Sequence, residues 1–354
     1  MLSSFSSNAV LSKARAMYGK KLTSQNYRDL LNCKTVGEAA AVLKNQTSYG
    51  KVLAGINENE IHRGILETEL KKNLFSQYAA LARYEITVGE HFSNYLVTHS
   101  EIEQILHSIL LLDAGKPEEY FFSFPSYLTH HTKINLAFLG RSKSFDDLLT
   151  ALSHTPYREL LEPFRPEKGK AVNYTDVENK LYAYLYSGTY DTIRNHTKGE
   201  TRRQLLDIFD SYVDLTNYVK ILRLKFHYNT EPEAVKSSLL PFGTLKKSVL
   251  SGMTEAEDPE ETEAIMRRTP NGKRALNTEH SYENEIPRRV NYRICRHYIR
   301  FSTHPSVVMV SYLFLLQAEI TDIITIVEGI RYQLASVEIE KLLVVYRDMK
   351  ERGE

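Results

Sequence analysis

Apolar residues recur along most of the chain at spacings of three and four, which is the pattern of a helix with one buried face. Alternation of apolar and polar residues, which would predict strands, is almost absent. Several apolar runs follow a hydroxyl residue paired with Glu or Gln three positions later, at Thr35/Glu38, Ser100/Glu103, Thr175/Glu178 and Thr201/Gln204. Such pairs are typical of helix N-termini, because they bond free N–H groups of the first turn. The pattern predicts an all-α protein.

One short pattern occurs three times. A Thr begins a predicted turn, and aliphatic residues follow five and six positions later. The pattern occurs at residues 47–53 and 155–161 and in a weaker form at 269–275. The spacings between the three Thr residues are 108 and 114. A spacing this regular favours an internal repeat of about a third of the chain.

A second pattern repeats with nearly the same period. An acidic residue followed by an aliphatic one occurs at Glu101–Ile102, Asp214–Leu215 and Glu319–Ile320, with spacings of 113 and 105. In each copy the residues three, four and seven positions after the aliphatic residue are also apolar. This spacing predicts one buried face of an α-helix. Between the two patterns each copy has room for one long helix, around 57–84, 174–198 and 280–301.

Two patterns in a constant order predict three degenerate units of about three helices each. We place them at 1–115, 116–230 and 231–354, within one continuous repeat domain. The competing interpretation is a chance likeness among amphipathic helices, and the constant order of the patterns disfavours it.

Composition and charge narrow the class of protein. The 45 Lys and Arg residues balance 44 Asp and Glu residues, so no overall field attracts nucleic acid or anionic lipid. Cys33 and Cys295 have no metal-ligand spacing and suggest a reducing compartment. The longest apolar stretch, Val307–Leu316, is about half of the ~20 residues that a transmembrane helix needs, so we expect a buried helix face. The N-terminus lacks the apolar core of a signal peptide.

No pattern of catalytic chemistry stands out. The Gly-Lys pairs at Gly115–Lys116, Gly169–Lys170 and Gly272–Lys273 are followed by Pro, Ala and Arg rather than the hydroxyl residue of a phosphate-binding loop. His130 and His131 are adjacent, with no nearby acid to complete a metal site. We therefore predict no catalytic residue, no cofactor, no metal and no small-molecule substrate, and a mechanical or adaptor role.

A basic stripe stands out more clearly. Arg289, Arg293, Arg296 and Arg300 share one helix face. They suit either an acidic partner or internal pairing, for which the acidic run from Glu255 to Glu263 is a candidate. Internal pairing is favoured, and nucleic acid is the weakest alternative. A tyrosine stripe at Tyr182, Tyr186 and Tyr190 is expected at the rim of a helix core rather than on a contact surface.

Several segments, in order, resemble the C subunit of the V/A-type rotary ATPases, whose eukaryotic counterpart is the d subunit of the V-ATPase. They are residues 8–17 with Leu22, Tyr27 and Leu30–Leu31 after them, then 47–50, 217–225, 239–245 and 322–332. The likeness extends over nearly the whole chain. The Arg-x-Lys ending of the middle copy, Arg223 and Lys225, is missing from the first and third copies.

The resemblance implies a fold and a role. The fold would be a pseudo-threefold funnel of three three-helix repeats with a central cavity. The role would be to couple the D and F subunits of the central stalk to the membrane rotor ring, on the cytoplasmic face, for proton or sodium transport. Candidate interface residues are Arg223, Lys225, Arg289, Arg293, Glu328, Arg331 and Tyr332. For Glu328 and Arg331 the alternative is a mutual ion pair. The alternative function is a helical-repeat interaction scaffold.

Overall fold

The structure, a computed structural model, describes residues 2–58, 60–85, 88–167, 170–276 and 283–354. Every regular element in these ranges is helical, which confirms the all-α prediction. The α-helices are α1 (Leu2–Tyr18), α2 (Ser24–Leu31), α3 (Val36–Gln46), α4 (Arg63–Ala82), α5 (Gly89–Asp113), α6 (Leu136–Leu139), α7 (Phe145–Ala151), α8 (Tyr157–Leu161), α9 (Tyr174–His196), α10 (Gly199–Leu222), α11 (Pro232–Ser237), α12 (Lys247–Glu255), α13 (Pro259–Arg267), α14 (Pro270–Ala275), α15 (Ile286–Phe301), α16 (Pro305–Arg331), α17 (Ser336–Lys341) and α18 (Val345–Glu351). Short 3₁₀ segments cover Ser48–Lys51, Pro117–Ser123, Ser126–Leu128, Glu162–Phe164 and Glu283–Glu285, and a π-helical segment, Arg223–His227, continues α10.

Three helical hairpins form the frame: α4 with α5, α9 with α10, and α15 with α16. The first helix of each hairpin lies in one of the three windows predicted for a long helix, although residues 59 and 280–282 of those windows lie outside the described residues. The connections within the hairpins are short. In the third, Pro305 stands at the first position of α16, where a residue without an N–H group breaks no helical hydrogen bond.

The predicted helix starts are mostly wrong. Of the four predicted pairs, only Thr35/Glu38 caps a helix, with the Thr35 hydroxyl accepting a hydrogen bond from the Glu38 N–H at 3.1 Å. Ser100 lies in the middle of α5, and the pairs at Thr175 and Thr201 begin inside the first turns of α9 and α10. The four-residue pattern does not distinguish a first turn from an interior turn, where the N–H groups are already bonded.

The connecting ends of the three hairpins meet at one end of the molecule. Glu85, between α4 and α5, accepts a hydrogen bond from the Ser306 hydroxyl of α16 at 2.8 Å. Ser302, between α15 and α16, donates to Gln204 of α10 at 2.7 Å. Since each contact joins two different hairpins, the three hairpins converge there.

The two repeated sequence patterns are in contact with each other. Tyr157, in the second Thr turn, donates its hydroxyl to Glu101 of α5 at 2.6 Å. Asn271, in the third Thr turn, donates to Asp214 of α10 at 2.7 Å. Each Thr turn therefore bonds the acid of the preceding copy.

The first Thr turn bonds the acid of the last copy. The Tyr49 hydroxyl donates to Oε1 of Glu319 in α16 at 2.8 Å, and the Leu22 N–H donates to Oε2 at 2.8 Å. The contact thus links the first third of the chain to the last third.

Further contacts also join the first third of the chain to the last third. Arg15 of α1 donates to the carbonyl oxygens of Ile299 and Ser302 at 2.8 and 2.7 Å. The rings of Tyr27 in α2 and Tyr346 in α18 stack with centroids 5.2 Å apart. An open solenoid, in which the first and last repeats are separated, would not make these contacts.

The helix α16 forms the core of this arrangement. Among the described residues it is the one helix long and apolar enough to cross a bilayer, yet 72% of its most apolar stretch is buried within the fold. Val307, Val308, Met309 and Val310, four successive residues, are all fully buried, so neighbours surround the helix on every side. The stretch Val307–Leu316 is therefore buried inside the protein, as predicted, and accounts for the helix's apolar character.

Candidate functional site

A cavity of about 440 Å³ lies between the three hairpins. It is lined by one helix of the first hairpin, α5, and by both helices of the second and third. The lining is rich in tyrosine and carries both signs of charge; its ionisable groups include Glu103, Glu178, Lys220, Arg223 and Arg288. Its volume lies within the range of ligand-binding pockets.

An aromatic cluster closes the cavity on the side of the hairpin connections. It contains at least one ring from the second helix of every hairpin: Phe92 and Tyr95 in α5, Phe209 in α10 and Phe314 in α16. The Phe209 ring lies 5.8 Å from Phe92, 5.7 Å from Tyr95 and 5.5 Å from Phe314 between centroids. Such packed rings add to the stability of the helix junction. The cluster makes the site a socket with a floor.

One side of the cavity, formed by α9, α10 and α15, is rich in cations. We call Lys220, Arg223 and Arg288, together with Glu178, the basic wall. Lys220 donates to the Ser238 carbonyl oxygen at 3.3 Å and also to Asn179. Burial lowers the pKa of Lys220, although the nearby Glu178 carboxylate opposes this shift. Three cations face one carboxylate on this wall, so its field is positive.

Another part of the lining, on α5, carries the carboxylate of Glu103. Its Oε2 lies 3.2 Å from the Lys71 ammonium group. Burial raises the pKa of Glu103, but the attraction of Lys71 is stronger in sum and holds that pKa below its ordinary value. Burial lowers the pKa of His99, which lies one turn before Glu103. The two sides of the cavity therefore differ in charge.

An ion-pair chain connects Glu103 with the end of α16. Lys71 also pairs with Glu67 at 3.1 Å, and Glu67 pairs with Arg63 at 2.9 Å. Arg63, at the start of α4, then pairs with Glu328 at 2.5 Å. The chain joins the first hairpin to the third, so we expect it to resist sliding between them.

The sequence-predicted residues fall in different places. Arg223 lies in the cavity wall. Lys225, two residues later, faces away from it, donating to the carbonyl oxygens of Thr254 at 2.6 Å and of Ala256. Lys225 therefore holds the end of α12 against α10.

Three further candidates lie at the end of α16. Glu328 pairs with Arg63, and more loosely with Arg331 at 3.5 Å, so the predicted mutual pair exists beside a tighter one. The Arg331 side chain is 52% exposed and lies over the ring of Tyr332, which is itself 66% exposed. Arg331 and Tyr332 are thus accessible at the surface, outside the cavity.

The basic stripe is paired within the chain. Arg293 and Arg296 lie 3.1 and 2.9 Å from the carboxylate of Asp348 in α18. Arg289 is 1% exposed and pairs with Glu285 and Glu351. The acids that balance the stripe therefore come mainly from the C-terminal helix, with Glu285 before α15, and the expected partners between Glu255 and Glu263 are wrong. That acidic run instead has its own cations, as in the pair of Glu263 with Arg267.

The tyrosine stripe is divided between cavity and core. Tyr182 and Tyr186 line the cavity, whereas Tyr190 stacks on Phe242 with centroids 5.0 Å apart. His130 and His131 are exposed, and no group of three or more potential ligands in the described ranges is placed to hold a metal ion.

Sequence reasoning misses four charged residues of the cavity, which are Glu103, Glu178, Lys220 and Arg288. Lys220 lies inside a segment singled out for its resemblance, but nothing in that segment predicts its buried position. Arg288 is next to Arg289 in the chain and points elsewhere, since adjacent helical residues face different sides. The pattern around Glu103 predicts a helix cap, whereas the residue lies inside α5. No local pattern marks these residues as neighbours.

Comparison with known proteins agrees with the resemblance found in the sequence. A family model described as the ATP synthase (C/AC39) subunit matches residues 10–342. The C subunit of the A-type ATP synthase of Pyrococcus furiosus is 24% identical over 247 residues, which cover 70% of this chain and 64% of the relative. The same protein of Pyrococcus abyssi is 22% identical, with 70% and 63% covered, and that of Methanosarcina mazei is 24% identical, with 66% and 62% covered.

The chain therefore spans slightly less than two thirds of the length of these relatives. The family model, in contrast, extends over nearly the whole chain. By that match, the chain belongs to the ATP synthase (C/AC39) subunit family.

Proposed function

We propose that this chain is the central-stalk coupler of an A/V-type ATP synthase or ATPase, joining the shaft formed by the D and F subunits to the membrane rotor ring. The observation that carries this proposal is the floored cavity at the junction of the three hairpins. Family membership supports a place in such a complex. In this role the chain is an accessory protein that transmits torque for proton or sodium transport and catalyses no reaction.

The size of the cavity supports a shaft tip as its occupant. One turn of an α-helix about 10 Å wide and 5.4 Å in pitch fills about 420 Å³. The cavity, at about 440 Å³, has room for one such turn. Its two differently charged sides would hold an inserted helix in one rotational register, because complementary charges fix orientation.

The contacts between the copies support the finer architecture that we propose. Thirds at 1–115, 116–230 and 231–354 would form a pseudo-threefold funnel, each third bonding the next through a Thr turn and an acid. Each third holds several short helices beside its long hairpin, which is more than the three helices that the sequence predicts. A closed arrangement of this kind resists twisting better than an open array.

We assign the remaining interface by exposure. Arg331 and Tyr332, which lie outside the cavity, would contact the ring or the outer side of the shaft. Arg223, which lines the cavity, would contact the inserted shaft tip. Lys225, Arg289 and Arg293 would act indirectly, by holding the helices that surround the socket. The complex would sit on the cytoplasmic face of the membrane, with this chain attached through the ring.

Reconstitution with the D–F shaft and the rotor ring of the same organism tests the proposal. We expect the wild-type chain to co-elute with both. Thr216→Trp places a large ring in the cavity and should abolish shaft binding while ring binding is kept. Thr150→Trp, at an exposed position on α7, is the matched control. A wild-type chain that binds neither partner overturns the proposal, and shaft binding by Thr216→Trp shows that the cavity is not the socket.

A further inference from the structure

The basic wall carries hydrogen-bond donors that have no acceptor. The Nε atom of Arg223 and the Nη2 atom of Arg288 are both buried, and neither has a hydrogen-bond partner in the described ranges. The Thr216 hydroxyl, which lines the same cavity, is also buried and unbonded. Buried donors left unpaired are destabilising, so native proteins rarely keep them without a reason.

The carboxylate of Asp322, which lies near Arg288, does not satisfy the Arg288 donor. Oδ1 of Asp322 lies 3.9 Å from Nη2 of Arg288, beyond hydrogen-bond distance. That carboxylate already accepts from the N–H groups of Val344 and Val345 at 3.0 and 2.8 Å. Its hydrogen bonds hold the segment before α18, so it leaves the donors of the wall unsatisfied.

The unpaired groups define the chemistry of a ligand. Guanidinium groups bind carboxylates through paired N–H donors, and a threonine hydroxyl adds a further donor. With Lys220, the wall carries three cations against the Glu178 carboxylate, and the buried Asp322 carboxylate lies 3.9 Å from Arg288, which leaves at least one negative charge to be supplied.

The α5 side of the cavity disfavours a polyanion. Glu103 faces the same space from α5, and its charge would repel a second negative group placed against it. A ligand that is negative on one side only fits both sides. A protein helix with acidic side chains on one face has this property, and its C-terminal end adds free carbonyl oxygens and the negative end of the helix dipole.

We propose that the basic wall is a carboxylate-binding site, which receives one or two acidic side chains at the tip of the inserted shaft helix through Arg223 and Arg288. This inference rests on the proposed coupling function and specifies the chemistry of its partner. The carboxylates would bond the guanidinium groups and the Thr216 hydroxyl. The wall then determines which face of the shaft tip turns toward α10 and α15.

Binding of the D–F shaft to wall variants tests the site. Arg223→Gln and Arg288→Gln keep much of the side-chain length and remove the charge. Each should weaken shaft binding about 30-fold or more, as for a buried pair that loses one partner. Arg158→Gln, at an exposed position on α8, is the matched control and should bind as the wild type does. Circular dichroism and thermal melting confirm that each variant is folded.

A variant that removes a negative charge from the wall distinguishes an effect of charge from an effect of packing. Glu178→Gln removes the one acid of the wall and should tighten shaft binding several-fold, whereas general damage to the cavity would weaken it. Raising the salt concentration should weaken the wild-type complex more than that of the Arg223→Gln/Arg288→Gln double variant.

The outcomes also separate this inference from the coupling function. Shaft binding that is unchanged by both arginine substitutions, or weakened by Glu178→Gln, overturns the carboxylate site and leaves the coupling role intact. A folded wild-type chain that does not bind the shaft overturns the coupling role itself. Sodium acetate, which carries a single carboxylate without a helix, distinguishes the sources: weakening of shaft binding by acetate beyond that by sodium chloride at equal ionic strength supports the site, and equal weakening by the two salts overturns the recognition of carboxylates.

Discussion

The hydrogen bond between Tyr49 and Glu319 links the first third of the chain to the last third. The substitution Tyr49→Phe removes this hydrogen bond and no other. Both residues are buried, with 2% and 5% of their surface exposed. The substitution deletes one oxygen, so packing is otherwise kept. Glu319 then retains the Leu22 N–H as its remaining donor.

The energetic effect of Tyr49→Phe should depend on pH. Burial raises the pKa of Glu319 to about 7 from an ordinary value of 4.5. Near pH 8.5 the lost bond is to a carboxylate, which contributes about 1.5–3 kcal/mol, and near pH 5 it is to a neutral acid, which contributes about 0.5–1.5 kcal/mol. The loss of unfolding free energy should therefore be about 1 kcal/mol greater at the higher pH.

The direction of the wild-type pH dependence follows from the same pKa. Between about pH 4.5 and 7 the folded state binds the Glu319 proton more tightly than the unfolded state does. The contribution of this residue to stability therefore falls as the pH rises through that range, by up to about 1.4 kcal/mol per unit. Tyr49→Phe removes a donor to the charged form, so it raises the pKa of Glu319 further and extends the fall to higher pH.

Urea denaturation followed by circular dichroism at pH 5 and 8.5 measures the effect. Tyr312→Phe is the matched control, because Tyr312 lines a second pocket together with Tyr49 and Glu319 and donates to the neutral amide of Gln77. Its effect should be equal at the two pH values. An equal effect of Tyr49→Phe at both pH values, or one below about 0.5 kcal/mol at pH 8.5, would refute the reasoning.

Three further substitutions test the contacts that hold the socket together. Gly243→Ala places a methyl group against the Asp214 carboxylate at a left-handed backbone position (φ 94°) and should cost about 2–4 kcal/mol in urea denaturation, whereas Gly188→Ala, in open space on α9, should not destabilise. Asp348→Asn removes the buried carboxylate that Arg293 and Arg296 share, which leaves Arg293 with Glu351 alone, and should cost about 3 kcal/mol, with faster proteolysis at α18 than in the wild type. Phe209→Ala opens the aromatic floor and should cost about 3–5 kcal/mol; a melting temperature equal to that of the wild type would contradict the packing described for the floor.

The two recurring patterns could be found in the sequence because each of them is local. A Thr turn and an acid at the start of an apolar helix face each need only a few neighbouring residues. Their contact could not be predicted, since the bonded residues are 56, 57 and 270 positions apart. Nothing within a turn identifies the helix that it will bond.

The arginine stripe shows the same limit. Helical spacing places the cations on one face, and the preference for internal pairing agrees with their contacts. The nearest acidic run predicts the wrong partners, because Asp348 lies 55 residues from Arg293 and reaches it only where α18 folds back beside α15. Charge balance along a sequence does not specify which charges become neighbours.

The sequence by itself therefore determined the helical class, the threefold repetition of two patterns, the buried apolar stretch of α16 and the family. Only the tertiary structure decided where the cavity lies and which charges face it. The physical reason is that a helix's own pattern indicates which of its sides is apolar, whereas a cavity arises where side chains of several helices do not meet. Lys220, Arg223 and Arg288 became one basic wall because α10 and α15 lie against the same space.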